Sequence, residues 1–163
     1  MAAAPDISRV WDILENHSVG MLTTQFSGGL RARPLDARPD RAAGTIAFVT
    51  DVRGHKDDEV AARPDVCFIV TVPKDNVYLS VTGRATVTRD PAKARQIWKK
   101  LDDMWWKGPD DPNARVLKIE PLTAELWDGP SSSLVAAYEF AKARVTGEKP
   151  FLGENRKKTV AMS

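Results

Sequence analysis

Apolar and polar residues alternate along several stretches of this chain, and the alternation predicts strands with one buried face. The pattern is clear over the long stretch 76–88, whereas apolar residues at helical spacing indicate helices. The pattern as a whole predicts strands at 19–26, 30–37, 45–51, 66–72, 76–88 and 115–127, and helices at 8–16, 56–62, 91–104 and 132–145.

Short turns join most of these strands, and this decides the fold class. Gly28-Gly29 is a hairpin turn, and PKDN at 73–76 is another. Strands joined without helices predict a mainly β fold, an antiparallel barrel with peripheral helices. Pro34 lacks an N–H, so its strand is expected at an edge or with a bulge. Gly83 is expected at a bulge of the long strand.

Length and composition fit one globular domain. The chain has 163 residues, of which 24 are basic and 22 acidic, a net charge of +2. We expect one domain over 1–147 and a polar, unpatterned C-terminal tail over 148–163. The balanced charge gives no strong field for nucleic acid or an anionic membrane, so neither is expected as a partner. Without a long apolar run or a signal-peptide pattern, the protein is expected in the cytoplasm.

Common catalytic and metal-binding signatures are missing from the sequence. It has no Walker A loop, GxGxxG, GxSxG or HExxH motif. His17 and His55 are the only histidines and lie in different segments, so a zinc site would need unusual carboxylate help. The single cysteine, Cys67, lies in VCFIV and is expected to be a small buried hydrophobe. No catalytic residue and no metal ligand is therefore predicted.

Basic residues gather near strand ends in the first third of the chain. Arg31 and Arg33 alternate along one strand and so point to the same face, and His55 and Lys56 follow the third strand. Each of these residues alone fits a solvated surface, because charged side chains are mostly exposed. Together, beside hydroxyls and backbone amides, they provide what a phosphate group needs. They therefore predict a phosphate site.

Two further features suit a flat ring. Thr50-Asp51 ends a buried strand, where Asp51 either caps local backbone N–H groups or leaves the backbone to bond a heteroaromatic edge. The side chains of Trp105-Trp106 point in different directions, so one is expected in the core and the other exposed. A partner subunit or a ligand ring would cover the exposed one.

These segments together resemble a known family. The chain contains, in order, GMLTTQ, GGLRARPLD, IAFVTD, HKDDEVAARPDVCFIV, YLSVTGRATVTRDPAKARQIW and WWKGPDDPNARVLKIEPLTAELWD. From about residue 7 to 147 it is similar to the general stress protein family of the pyridoxamine 5′-phosphate oxidase-like FMN-binding split-barrel superfamily. The resemblance implies a six-stranded antiparallel split barrel with flanking helices. It also implies a homodimer with two flavin sites between the subunits, which bind FMN or, as an alternative, FAD.

The resemblance implies roles for individual residues as well. By position, Arg31 or Arg33, and Lys56, hold the FMN phosphate, while the ends of the second and third strands flank the isoalloxazine ring. Tyr78 and Trp106 are candidates to complete the site from the other subunit. The full set of expected cofactor-binding residues is Arg31, Arg33, Pro34, Leu35, Asp36, Val49, Thr50, Asp51, His55, Lys56, Tyr78 and Trp106.

The sequence departs from true pyridoxamine-phosphate oxidases at one point. Those enzymes carry a C-terminal arginine- and histidine-rich motif, and this chain has AELWDGPSSS in that region. Oxidase activity of that kind is therefore not expected, and the prediction is a flavin-binding protein of general stress type with a role in stress response. Two alternatives stay open: an oxidoreductase using FMN or a deazaflavin on an unidentified small substrate, and a haem-binding split barrel using His17 or His55.

Overall fold

The structure is a computed structural model that describes residues 5–128, 141–147 and 156–162. Of the helix predicted over 132–145, the part up to residue 140 lies outside the described residues, and 141–146 is helical. Within the predicted tail, 148–155 lies outside them as well. The division into one domain and a tail stays a prediction.

Short helices accompany the strands. They are α1 (Pro5–Asn16), α2 (Lys56–Ala62), α3 (Pro91–Ile97) and α4 (141–146). α3 is shorter than predicted because Trp98 takes extended backbone, and a separate 3-10 helix follows over Lys100–Met104. No helix in the described part of the chain is long and apolar enough to cross a membrane.

Eight strands form one antiparallel sheet. They are β1 (Val19–Phe26), β2 (Gly29–Asp36), β3 (Arg38–Asp40), β4 (Thr45–Asp51), β5 (Asp65–Val72), β6 (Val77–Thr88), β7 (Ala114–Asp128) and β8 (Arg156–Ala161). They are ordered β2-β1-β5-β6-β7-β4-β3, and β8 also pairs with β7. β2 is the edge strand that Pro34 predicted. Among the described residues no pairing joins β2 to β3, so the sheet is not closed.

The mainly β, antiparallel prediction is confirmed, but the strand count rises from six to eight. Ala37 separates β2 from the short β3, which pairs with β4. The last strand, β8, pairs with β7 in the segment expected to be an unpatterned tail. That expectation is wrong for 156–161, because Val160 and Met162 supply buried apolar contacts to the core within an otherwise basic segment.

The core lies on the inner face of this sheet, as the alternation predicts. In β6, Val77, Leu79 and Val81 are buried between exposed or half-buried neighbours. Phe48 of β4 and Phe68 of β5 are fully buried and meet edge to face, with their ring centroids 5.0 Å apart. The candidate site lies at the end of β4, next to this core.

β6 and β7 approach each other closely at Gly83, and the register shifts there as the sequence predicted. A Cβ at this position would lie 2.4 Å from the carbonyl oxygen of Glu120 and 2.8 Å from Ile119 Cγ2. We therefore expect Gly83→Ala to lower the unfolding free energy by about 1–3 kcal/mol in urea denaturation. Thr86→Ala, at an exposed position of the same strand, is the control. Equal losses in the two variants would contradict the close approach.

Candidate functional site

The candidate site begins where β4 ends. Asp51 accepts a hydrogen bond from the backbone N–H of Arg53 at 2.8 Å and caps the 3-10 turn Val52–Gly54, the first of the two roles considered for it. Its contact with the cofactor stays a prediction. His55 then takes left-handed backbone with φ 55°, and α2 begins at Lys56. α2 packs against β1 and β6. The turn thereby returns the chain from the end of β4 to the hairpin of β1 and β2.

Two arginines of β2 converge on one buried carboxylate, that of Glu59 in α2. Arg33 Nη2 donates to both carboxylate oxygens at 2.9 Å, and Arg31 Nη1 donates to Oε1 at 3.1 Å. Thr24 of β1 donates its hydroxyl to Glu59 Oε2 at 2.7 Å and accepts from Arg33 Nη1 at 2.9 Å. We call Thr24, Arg31, Arg33 and Glu59 the arginine–glutamate cluster.

Glu59 is ionised at neutral pH in spite of its burial. Its side chain is 8% exposed. Burial works to raise its pKa, but the hydrogen bonds from Thr24 and Arg33 and the charges of Arg33 and Arg31 outweigh that effect and leave the pKa lowered. The cluster therefore stabilises the fold as long as this carboxyl stays charged.

The lowered pKa of Glu59 predicts a loss of stability in acid. Because the folded pKa lies below the ordinary value of 4.5, the unfolded chain takes up this proton more readily than the folded chain. The stabilisation is full above about pH 4.5 and is lost as the pH falls through the lowered folded pKa. We expect Glu59→Gln to lose less stability than the wild type on acidification, measured by urea unfolding at several pH values. Parallel losses would contradict the assignment.

Lys56 is a buried cation beside this cluster. The residue is 7% exposed, and a Cβ on Gly54 would lie only 2.7 Å from its Nζ. Burial lowers its pKa, the charge of Arg33 lowers it further, and nearby carboxylates oppose both effects. Nζ has no hydrogen bond or ion pair with any residue that the structure describes. A charge in such a place is costly without a partner, so it is suited to an anionic ligand.

Unpartnered polar atoms also lie near the end of β4. Among the described residues, Thr50 Oγ1 and Trp106 Nε1 are buried without a hydrogen-bond partner. Trp106 packs edge to face on Trp98, with ring centroids 6.0 Å apart. The pKa of Asp51 is lowered chiefly by its hydrogen bond from Arg53, and Trp106 contributes, although its Nε1 lacks normal hydrogen-bond geometry. Buried polar atoms without partners are rare, and a ligand commonly satisfies them.

Several other predicted site residues have separate surroundings. Asp36, at the far end of β2, forms ion pairs with Arg38 at 2.9 Å and Lys99 at 3.2 Å. Leu35 packs against the main core, and Val49 is buried. None of these three side chains has a hydrogen bond or an ion pair with the arginine–glutamate cluster.

The last three predicted residues are exposed. Pro34 lies opposite Met21 in the pairing of β2 with β1. The His55 side chain is 77% exposed and lies 3.9 Å from Asp58. Tyr78 is 40% exposed on the outer face of β6. Trp106, in contrast, is half-buried next to Asp51 of its own chain, while its neighbour Trp105 is 71% exposed.

Glu59 and Thr24 are site residues that the sequence did not predict, although both carry a weak signal. Glu59 is three positions after Lys56, so both lie on the same face of α2. Thr24 has the same inward parity on β1 as the buried Leu22. A charged and a hydroxyl side chain at core-facing positions indicate a polar contact inside the fold.

A separate open cleft of about 570 Å³ lies among α1, β3 and α3. Its cations are each in an ion pair with a carboxylate, so its charge does not favour an anion. They are Arg38, Arg41, Lys93 and Lys99.

Comparison with known proteins assigns this chain to a family. A family model described as "Pyridoxamine 5′-phosphate oxidase like" matches residues 5–150. General stress protein 26 of Bacillus subtilis (strain 168) is 30% identical over 123 residues, which cover 74% of this chain and 86% of that protein.

Solved structures agree. A chain from Jannaschia sp. CCS1 assigned to general stress protein 26 matches with TM-score 0.72 and 29% identity, covering 98% of this chain and 99% of that one. A protein from Xanthomonas citri, named a general stress FMN/FAD binding protein, has TM-score 0.66 and 23% identity over 77% of this chain and 88% of its own. That second likeness shows the fold alone. The chain therefore belongs to the pyridoxamine 5′-phosphate oxidase-like family, as its resemblance to general stress proteins predicted.

Proposed function

We propose that this chain binds FMN and that Arg31, Arg33 and Lys56 hold its phosphate. The observation that carries the proposal is the buried Lys56 ammonium, which has no partner in the described part of the chain. Lys56 and the two arginines with Glu59 carry an excess of two positive charges. A phosphate monoester carries about −1.5 to −2 at neutral pH, so the charges match.

The end of β4 supports a place for the isoalloxazine ring. Thr50 Oγ1 can donate or accept, and Trp106 Nε1 can donate. A flavin's pyrimidine edge offers both carbonyl acceptors and an N–H donor, so the Thr50 hydroxyl suits it. Trp106 lies beside Asp51, on the opposite face of β4, and is a separate candidate donor. Bound FMN supplies the redox chemistry, and the residues of the chain supply placement and electrostatics. The names of the Xanthomonas citri relative and of an FMN binding protein from Nostoc punctiforme support a flavin.

The function proposed is that of a flavin-binding protein of general stress type. The region AELWDGPSSS lacks the arginine- and histidine-rich motif of pyridoxamine-phosphate oxidases, so the proposal includes no oxidation of that substrate. A role in stress response and a cytoplasmic location stay predictions, as does the oxidoreductase alternative.

A homodimer is the assembly proposed for this site. The outer sheet face exposes apolar side chains that the pairing brings together: Val19 and Met21 on β1, Ile69 opposite Met21 on β5, and Tyr78 on β6. Apolar side chains grouped on one face typically mark an interface. A second copy of the chain on this face would cover them, and the resemblance to general stress proteins implies flavin sites between the two subunits.

This proposal predicts the behaviour of Ile69→Lys. A charge at the centre of the outer face should separate the subunits, because a buried unpaired ammonium is costly. We expect sedimentation to show a dimer for the wild type and a folded monomer for the variant, with flavin affinity reduced. Lys74→Glu, at an exposed position of the turn between β5 and β6, should leave the dimer intact. A wild-type monomer would overturn the proposed assembly.

The proposed cofactor is tested by visible absorbance of the purified protein, with and without added FMN, and by the mass of any small molecule released on denaturation. A flavin spectrum and the mass of FMN are expected. FAD would correct the identity of the flavin. A Soret band would favour haem, and a deazaflavin mass would favour the oxidoreductase. No flavin binding by the folded protein at micromolar FMN would overturn the proposal.

A further inference from the structure

Glu59 is bound by four hydrogen bonds that use both of its carboxylate oxygens. Oε2 accepts from Thr24 and Arg33, and Oε1 accepts from Arg33 and Arg31. Thr24 is 1% exposed and the Glu59 side chain 8%. The exposure of the guanidinium-bearing side chains rises from 17% for Arg33 to 46% for Arg31. The carboxylate thus lies beneath the arginines, on the side away from solvent.

The arginines retain donors that Glu59 does not use. Arg33 donates through Nη1 and Nη2, and Arg31 donates only through Nη1. Within the described chain, Nε of both arginines and Nη2 of Arg31 have no hydrogen-bond acceptor. The Arg31 guanidinium also lies 4.4 Å from the centroid of the Phe26 ring, which restricts its plane. Free donors on arginines fixed from behind are a preorganised arrangement for a second anion.

We propose that Glu59, fixed by Thr24, is a positioning residue that aims Arg33 and Arg31 at the phosphate of the bound flavin. The proposal rests on the proposed function, since it concerns the same phosphate. Glu59 does not touch the ligand. It acts by holding the guanidinium groups in place before binding, so that less side-chain freedom is lost when the phosphate arrives.

Two other roles for Glu59 make different predictions. A carboxylate that competes with the phosphate for the arginines would weaken FMN binding, so its removal would tighten FMN. A carboxylate that serves only the fold would change the affinities for FMN and riboflavin together. The ratio of the two affinities separates these cases, because riboflavin has the same ring system and ribityl chain without the phosphate.

The experiment is titration of the full chain with FMN and with riboflavin, followed by flavin fluorescence. For Glu59→Gln we expect the preference for FMN over riboflavin to fall about tenfold, in line with the loss of one charge-assisted hydrogen bond. Riboflavin affinity should stay within about twofold of the wild type. An unchanged preference, or tighter FMN binding, would overturn the positioning role.

Asp58→Asn is the matched control, since it removes the same charge from the neighbouring residue. Its side chain is 89% exposed, so the preference for FMN should not fall. Thr24→Val tests the same role without changing any charge, and it remains informative if Glu59→Gln folds poorly. It removes one of the four hydrogen bonds to Glu59 and also the acceptor of Arg33 Nη1, and we expect the preference to fall about threefold. Equal FMN preference in Thr24→Val and the wild type would contradict the positioning role of Glu59.

Failure of this proposal can be told apart from failure of the proposed function. If the wild type prefers FMN and the variants keep that preference, only the positioning role is lost. If the wild type itself shows no preference for FMN, the arginines and Lys56 do not bind the phosphate, and both proposals fall.

Discussion

Arg33→Ala is expected to lower the unfolding free energy of the ligand-free protein by about 3 kcal/mol, near the lower end of the range for breaking a buried ion pair. The variant removes the two-oxygen contact to Glu59, whose side chain is 8% exposed. Thr24 and Arg31 still donate to that carboxylate, which limits the loss. FMN affinity should fall as well, by about 1.5–3 kcal/mol, the range for hydrogen bonds to charged groups.

Urea denaturation measures the loss of unfolding free energy. Repeating Arg33→Ala in the Glu59→Gln variant tests its cause. If Arg33→Ala destabilises the protein because the Glu59 carboxylate loses its partner, the same change should lower the unfolding free energy much less when residue 59 is already neutral. Arg63→Ala, at the exposed C-terminal end of α2, is the control and should change stability by less than about 0.5 kcal/mol. Additive losses in the double variant would show that Arg33 and Glu59 are not coupled.

Lys56→Met should make the ligand-free protein more stable and the flavin complex weaker. Burial and the charge of Arg33 lower the pKa of Lys56, so the folded state disfavours the charged ammonium. Below that lowered pKa the wild type carries this cost, which Met avoids while keeping most of the side-chain length. The same ammonium is the proposed partner of the phosphate, so FMN affinity should fall about 10- to 100-fold.

The measurements for this variant are the melting temperature without ligand and the dissociation constant for FMN. Stability of the wild type should also rise as the pH rises through the lowered pKa towards 10.5, because only the unfolded chain then keeps the proton. Lys56→Met should lack that rise. Lys74→Met, at an exposed position, should alter neither property. A less stable Lys56→Met variant would mean that Lys56 has a partner in the fold.

Local patterns predicted most of the frame. The strand over Val19–Phe26, the helix over Lys56–Ala62 and the register shift at Gly83 follow the sequence closely. Each depends on neighbours in the chain: alternation, a proline after the helix, or a glycine where two strands approach. The basic residues Arg31, Arg33 and Lys56 could be predicted as site residues, because their spacing and the family resemblance are both visible in the sequence.

Contacts between distant segments could not be predicted in this way. Glu59 reaches Thr24 across 35 positions because α2 packs on β1, and a glutamate in a short helix ordinarily indicates solvent. The sequence did not predict β8, because basic residues precede the inward-facing Val160 and obscure the apolar pattern. The pairing with β7 determines this strand. The net positive charge of the site is therefore smaller than the sequence suggests, because Arg31 and Arg33 share the negative charge of Glu59. Lys56 has no such partner in the described part of the chain.

Titration of the wild-type protein with FMN and riboflavin, at low and at high salt, tests most directly whether these cations hold a flavin phosphate. We predict that FMN binds at least about tenfold more tightly than riboflavin and that the difference shrinks as salt screens the charges. Equal affinities for the two flavins at both salt concentrations would contradict a phosphate site at Arg31, Arg33 and Lys56.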